Sequence, residues 1–517
     1  MGNLRFSIFL LLVLLASGAL SATAENPKYG GTLRIGIRKD ITTLDPFVQY
    51  SSTNALVGGL VYEGLTDVSN SFEAVPSLAE SWSISKDGKQ YIFQLRKGVI
   101  FHHGKELDAE DVKWSLEHIL DPKNRAYMRG LISEIESVQV LDRHSVKLAL
   151  KQPFAPLLAT GLNSDTVIVP KDSIKSGDTL TVALPGTGPF QHVEWKRGTD
   201  IRQAANKRYW NKGVPYLSEV VFKPVPSADV RFISLRSGDL DLIEEAPYVA
   251  VNEVKKGRYT EVRLAPAPIA GFRLIKMNVE APYFKDPRVR RAVAYAVDRK
   301  AYIDGATLGH GEPAYQVYPK GFKWYFDDVQ NQETDLQKAR ALLAEAGFPQ
   351  GFKSTLEIRQ GEESENLILQ DQLKKVGIDL EIQSMDFASY VKSDADGTFH
   401  IKISGSNVYP DIDRALYPNF HSEVGPKRNR NDTGYKNPEV DRLLDRARTV
   451  TDFKERQDLY KRVTEILNQD SPQVNLAFIP RFYAYKSHVK GFVTNPNGDL
   501  VYPEGGVHLT WIDAPSR

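Results

Sequence analysis

The sequence predicts an α/β protein built of several subdomains, and three observations carry that prediction. Strand-like alternation and helix-like periodicity succeed one another along the chain without a strict βαβ rhythm. The chain has 517 residues, and removing an N-terminal export signal of 24 leaves 493, too many for a single core. Its composition, 41% hydrophobic and 25% charged, is that of an ordinary globular protein able to build large cores.

Residues 1–24 have the form of a cleaved signal. Arg5 supplies the positive start, Phe6 to Leu20 is an apolar run, and Ala22-Thr23-Ala24 is a small-x-small cleavage site. A lipid anchor needs a cysteine at the cut, and the chain has none. The expectation is a free, soluble protein outside the cytoplasm.

Beyond the signal, Leu33, Ile35 and Ile37 alternate as in a strand. Ser83 to Leu95 reads as a hairpin turning at Asp87-Gly88, and Val138 to Leu150 as another turning near Asp142-Arg143-His144. Asp108 suits the cap of a helix from Ala109, with Val112, Leu116 and Ile119 as its apolar stripe. Asp335 to Ala346 reads as a helix stopped by Gly347 and Pro349. Asn437-Pro438 reads as a cap followed by proline at the first helical position, with Val440, Leu443, Leu444 and Ala447 facing a core. Ala265-Pro266-Ala267-Pro268 and Gly271 mark a crossing between domains, and Lys486 to Gly491 a return crossing.

Several functions are disfavoured. Sixty-six basic residues balance 65 acidic ones, so no nucleic-acid footprint is present. Without cysteine there is no disulfide, no thiol catalysis and no thiolate metal site. No phosphate loop, nucleophile elbow or H-E-x-x-H motif occurs. His102-His103 makes a poor chelate, because neighbours on a strand face opposite ways; one structural and one exposed histidine is expected. Glu244-Glu245 and Asp327-Asp328 read as solvated surface rather than catalytic pairs. Asn431-Asp432-Thr433 matches a glycosylation acceptor, a pattern frequent by chance.

A family resemblance then covers nearly all of the mature chain. G-V-I-F-H-H-G-K-E-L-D-A-E-D-V-K-W-S-L-E, from Gly98 to Glu117, resembles the signature block of the extracellular solute-binding proteins that serve peptide and nickel ABC importers. Further blocks follow in family order. They include G-G-T-L-R-I-G at Gly30, P-S-L-A-E-S-W at Pro76, Y-W-N-K-G-V-P-Y-L at Tyr209, D-P-R-V-R-R-A-V-A-Y-A-V-D-R at Asp286 and Y-K-N-P-E-V-D-R-L-L-D-R-A-R at Tyr435.

The resemblance implies a two-lobed periplasmic-binding-protein clamshell with an extra subdomain on the first lobe. The first lobe is expected over 25–270, with its extra subdomain about 66–185, and is completed by 488–517. The second lobe is expected over 271–487. The implied role is to capture a small molecule or peptide between the lobes and deliver it to an inner-membrane ABC permease. The protein is expected to be a monomer that makes no bond, uses no cofactor or metal and binds no nucleic acid. An exported hydrolase is the rival of another class. The signature block itself is expected to be scaffold.

Ligand residues follow by the same resemblance. Peptide-binding relatives hold the ligand carboxylate with an arginine between a strand and a helix of the second lobe. Thr355 to Arg359 followed by a helix over Asn366 to Val376 matches that place, which nominates Arg359. The ammonium segment W-x-x-D-x-x-D-P-D corresponds to Ile403 through Asp411. Its Pro-Asp persists as Pro410-Asp411, while Ser406, Asn407 and Tyr409 suit hydroxyl and amide partners. That departure favours a modified peptide, an opine-like conjugate or an oligosaccharide over a plain dipeptide. Tyr50, Ser51, Ser52 and Thr53 match a loop facing the cleft, and Trp324 with Tyr325 is a candidate side-chain pocket.

Overall fold

A computed structural model of the chain describes residues 26–48, 51–171, 173, 183–424 and 431–513. The signal segment and Tyr50 lie outside the described residues.

Three sheets organise the molecule. The first has seven strands, in the order Val262–Ala267, Arg481–Lys486, Leu242–Ile243, Thr32–Ile37, Glu219–Pro224, Asp200–Ala205 and Phe190–Lys196. Thr32–Ile37 lies parallel to both of its neighbours, and Leu33, Ile35 and Ile37 are fully buried. It is a central strand of the sheet, and its alternating apolar residues fill one buried face. Gly36 lets the neighbouring elements close in: a Cβ would stand 2.6 Å from Leu240 Cδ1 and 3.1 Å from Ile243 Cγ2, so those side chains would have to shift.

The second sheet has six strands, in the order Glu312–Pro313, Gln473–Phe478, Phe272–Met277, Ile401–Ser406, Phe352–Arg359 and Ile378–Met385. Helices Pro287–Ala296, Leu336–Glu345 and Glu363–Lys374 contribute Val289, Val293, Leu343 and Leu369 to its core. The third sheet, Ala79–Ile84, Gln90–Leu95, Ser145–Leu150 and Ile135–Asp142, is antiparallel and contains both expected hairpins. Helix Ala109–Leu120 covers it, burying Val112, Leu116 and Ile119. Asp108 caps this helix in a reciprocal capping box with Asp111.

The chain passes from the first sheet to the second at 268–271 and returns at 479–480. The return comes earlier than the expected Lys486 to Gly491, because Arg481–Lys486 already pairs with Val262–Ala267 in the first sheet. The two passages run side by side. Val262–Ala267 is antiparallel to Arg481–Lys486 on one side, Phe272–Met277 is antiparallel to Gln473–Phe478 on the other, and Ile479 N–H donates to Gly271 O between them at 3.0 Å.

The extra subdomain reaches across to the second lobe. A tight hairpin, Thr66–Val68 with Ala74–Pro76, carries Phe72 at its turn. Phe72 has φ +63° and buries its ring in the second lobe, 5.5 Å from Phe322 and within a cluster containing Phe272 and Trp324. Lys323 Nζ holds the turn by donating to Phe72 O at 2.8 Å and to Glu73 at 2.7 Å. Ala155 N–H donates to Arg448 O at 2.9 Å, and the Arg448 guanidinium covers the Phe154 ring.

One surface expectation, that for Glu244, is corrected. Glu244 is buried, accepts from the Arg38 backbone N–H, and has its pKa raised by burial and by Glu245. It is not solvated surface. Asn431, Asp432 and Thr433 are buried, which closes that acceptor to glycosylation. Asp327 and Asp328 do stand at the surface, paired with Lys320 and Lys461. His102 is structural, between Gly188 O and Gly186 N–H, with burial pushing its pKa down to about 4, while His103 is exposed. No helix among the described residues is long and apolar enough to cross a membrane.

Candidate functional site

A cleft of about 870 Å³ lies between the two large sheets, beside the paired crossings. Arg38, Glu245 and Tyr248 border it from the first lobe. Arg273, Arg359 and Tyr390 border it from the second, with Ser404 to Asn407 and Tyr409 alongside. A smaller cavity of about 360 Å³ opens off it. The two share Ser52, Ala270, Asn407, Tyr409, Arg414 and Arg481 in their walls.

Strand ends and strand-following loops place these groups. Arg359 ends Phe352–Arg359, and its Nη2 donates to Glu362 in the turn that follows. Arg273 sits near the start of Phe272–Met277 and pairs with Glu362 at 3.2 Å and Glu365 at 3.0 Å. From the other side, Glu245 holds both Arg38 at 3.1 Å and Arg481 at 3.2 Å. Arg414 bridges the lobes, pairing with Asp165 and lying 4.5 Å from the Tyr409 ring.

Five arginines thus line the cleft, and four carboxylates serve them, two of these shared. A guanidinium has five donors in a fixed fork, so sharing leaves donors free. Burial raises the pKa of Glu365 against the pull of Arg273. Burial also raises the Tyr248 and Tyr390 phenols, which stay neutral donors at physiological pH. The arrangement suits a ligand rich in carboxylate oxygens.

The structure brings Arg359, Ser406, Asn407 and Tyr409 to the cleft. It separates the others. Ser51 is spent as a helix cap, accepting from Asn54 N–H and donating to Asn54 Oδ1. Thr53 is 1% exposed and turns away, leaving Ser52 as the member of that loop in both cavity walls. Trp324 is also 1% exposed; it packs on Phe453 and Tyr460 in the second-lobe core, so it forms no side-chain pocket. Asp411 makes a buried two-point ion pair with Arg456, both bonds 2.9 Å, and is not free for an ammonium. Arg38, Tyr248, Arg273, Tyr390, Arg414 and Arg481 escape sequence reasoning. They come from six separate segments, and only the tertiary fold unites them.

Comparison with known proteins agrees with this geometry. The family model of the bacterial extracellular solute-binding proteins, family 5 Middle, matches residues 73–427. The glutathione-binding protein GsiB of Salmonella paratyphi A is 30% identical over 497 residues, which cover 94% of this chain and 96% of that protein. The structure of the periplasmic binding protein AgaA from A. tumefaciens, in complex with agropinic acid, superposes with a TM-score of 0.81. It shares 32% identity, covering 94% of this chain and 99% of that one. The Helicobacter pylori binding protein DppA, in complex with the peptide STSA, gives a TM-score of 0.79 at 29% identity, covering 92% and 99%. With a two-lobed fold, a cleft walled by both lobes and a match over more than half its length, the chain belongs to family 5 of the bacterial extracellular solute-binding proteins and acts as the solute-capturing component of an ABC importer.

Proposed function

We propose that the protein captures a small acidic solute, a peptide or peptide-like conjugate with more than one carboxylate, and hands it to an inner-membrane permease. The observation that carries this reading is the set of five arginines facing one cleft with shared carboxylates. A carboxylate accepts two parallel bonds from a guanidinium, whereas a neutral sugar hydroxyl offers no charge to match it. One relative is named for binding glutathione, and another is found with agropinic acid.

Function then follows from the shape. A ligand that touches Arg38 or Arg481 on one lobe and Arg273 or Arg359 on the other binds the closed form better, and shifts the population toward it. Capture needs no bond to be made or broken. The protein works as a monomer in the periplasm after removal of residues 1–24, with the first lobe formed by the chain before 268–271 and after 479–480.

A thermal-shift comparison tests the proposal. A pool of tripeptides bearing both side-chain and C-terminal carboxylates should raise the melting temperature, by about 2.7 kcal/mol of stabilisation at a hundredfold excess over Kd. Neutral amide-capped tripeptides and maltotriose should leave it unmoved. A response to maltotriose alone would overturn the acidic-solute reading.

A further inference from the structure

The second-lobe wall of the cleft sets two arginines against two carboxylates, and the sharing is unequal. Glu362 pairs with both cations, with Arg273 at 3.2 Å and with Arg359 through its Nη2. Glu365 pairs with Arg273 alone among the described residues, at 3.0 Å. Glu365 lies in the first turn of helix Glu363–Lys374 and borders the cleft, with 17% of its side chain exposed.

The other groups that act on Glu365 offer it no second ion pair. Arg359 pulls on it from the end of the neighbouring strand without pairing with it, and Glu362 repels it. Tyr302, on helix Arg299–Thr307, and Tyr248, on the first-lobe helix Tyr248–Lys255, are phenols that burial keeps neutral. A solute carboxylate that takes the forked donors of Arg273 therefore brings a third anion to two cations. Glu362 keeps Arg359. Glu365 is left without a partner, and an unpaired carboxylate in a largely buried wall is costly. Burial already raises its pKa while Arg273 is still in place, so losing that cation moves it further the same way. A proton removes the cost and gives the carboxyl an O–H donor to turn toward the incoming carboxylate.

We propose that Glu365 is an internal counter-ion exchanged for the solute: the solute carboxylate takes its place on Arg273, and the displaced Glu365 takes up one proton from solvent. This inference rests on the acidic-solute reading above. The coupling is reciprocal, so a proton on Glu365 tightens solute binding by the factor by which the solute tightens proton binding. Glu365 is ionised in the free protein and protonated in the complex. Affinity for an acidic solute thus rises as pH falls, and levels off once Glu365 is protonated in the free protein too. A neutral solute displaces no carboxylate and takes up no proton.

The test is isothermal titration calorimetry of the mature protein with the member of the acidic tripeptide pool that gives the largest thermal shift. Titrations at pH 6.5 in MES and in bis-tris, whose ionisation heats differ, count the protons taken up per solute bound. The wild type should take up about half a proton or more, and its Kd should fall at least threefold between pH 7.5 and 5.5. Glu365→Gln copies the protonated carboxyl. It should bind at least threefold tighter than wild type at pH 7.5, with proton uptake near zero, a gain that a damaged fold does not give. Wild-type binding with no proton exchange would overturn the exchange while leaving the acidic-solute reading intact. Undiminished uptake in Glu365→Gln would also overturn it. Absence of binding by every member of the pool would overturn both readings, and the wild-type proton count decides even where the variant does not fold.

Discussion

Arg359 is half-exposed at the end of its strand, tethered to Glu362 and 6.0 Å from the Tyr390 ring. The tether aims the guanidinium without consuming all its donors. Arg359→Ala should therefore weaken binding of an acidic tripeptide by tenfold or more, about 1.4 kcal/mol, by calorimetry; unchanged affinity would remove it from the site. Trp324 predicts the reverse pattern. Trp324→Ala empties a core position and should cost about 3–5 kcal/mol in denaturant unfolding, with ligand affinity unaltered. At this scale the sequence was partly legible. Arg359 could be found because its strand and helix flank it locally. Asp411 was misjudged because its partner, Arg456, lies on the distant helix Phe453–Asp470, and Thr53 because the helical turn that exposes Ser52 buries its neighbour.

Elements were more legible than residues. The helices begun by Asp108, Asp335 and Asn437 start where expected, because each cap bonds backbone N–H groups two or three positions ahead. Strand partners and lobe contacts carry no such local mark. The hairpin bearing Phe72 shows this: nothing in its polar surroundings announces that its ring enters another lobe. A non-glycine residue at positive φ is disfavoured, and the ring burial beside Phe322 offsets that cost. Because this contact joins the lobes, Phe72→Ala should speed solute dissociation at least tenfold in stopped-flow fluorescence. An unchanged rate would show that the ring takes no part in holding the lobes together.

The whole molecule balances its charges globally but not locally, with arginines gathered in the cleft and the carboxylates Glu63, Asp67 and Asp499 in the wall of the smaller cavity. Asp67, raised to about 7 from the usual 3.8, gives this segregation a sign. A carboxyl whose folded pKa is raised keeps extra protons in the folded state, so its contribution to stability is lost as pH rises from about 4 to about 7. His102 and His508, lowered to about 4, act oppositely, costing stability as pH falls below 6.5. The histidine contribution cancels in a difference, so Asp67→Asn should gain melting temperature relative to the ligand-free wild type steadily between pH 4 and 7.5. A flat difference across that range would contradict the raised pKa.

The two crossings, finally, are one hydrogen-bonded ribbon rather than two separate posts. A ribbon flexes across its face while keeping its bonds, but shearing in its plane or splaying its strands breaks them. The lobes therefore share a single bending axis. A solute lodged far from that axis props the jaws further apart than a small one near it, and the jaw angle becomes a gauge of solute length, like the legs of a calliper. A permease that accepts only one jaw angle would reject an oversized cargo without ever touching it.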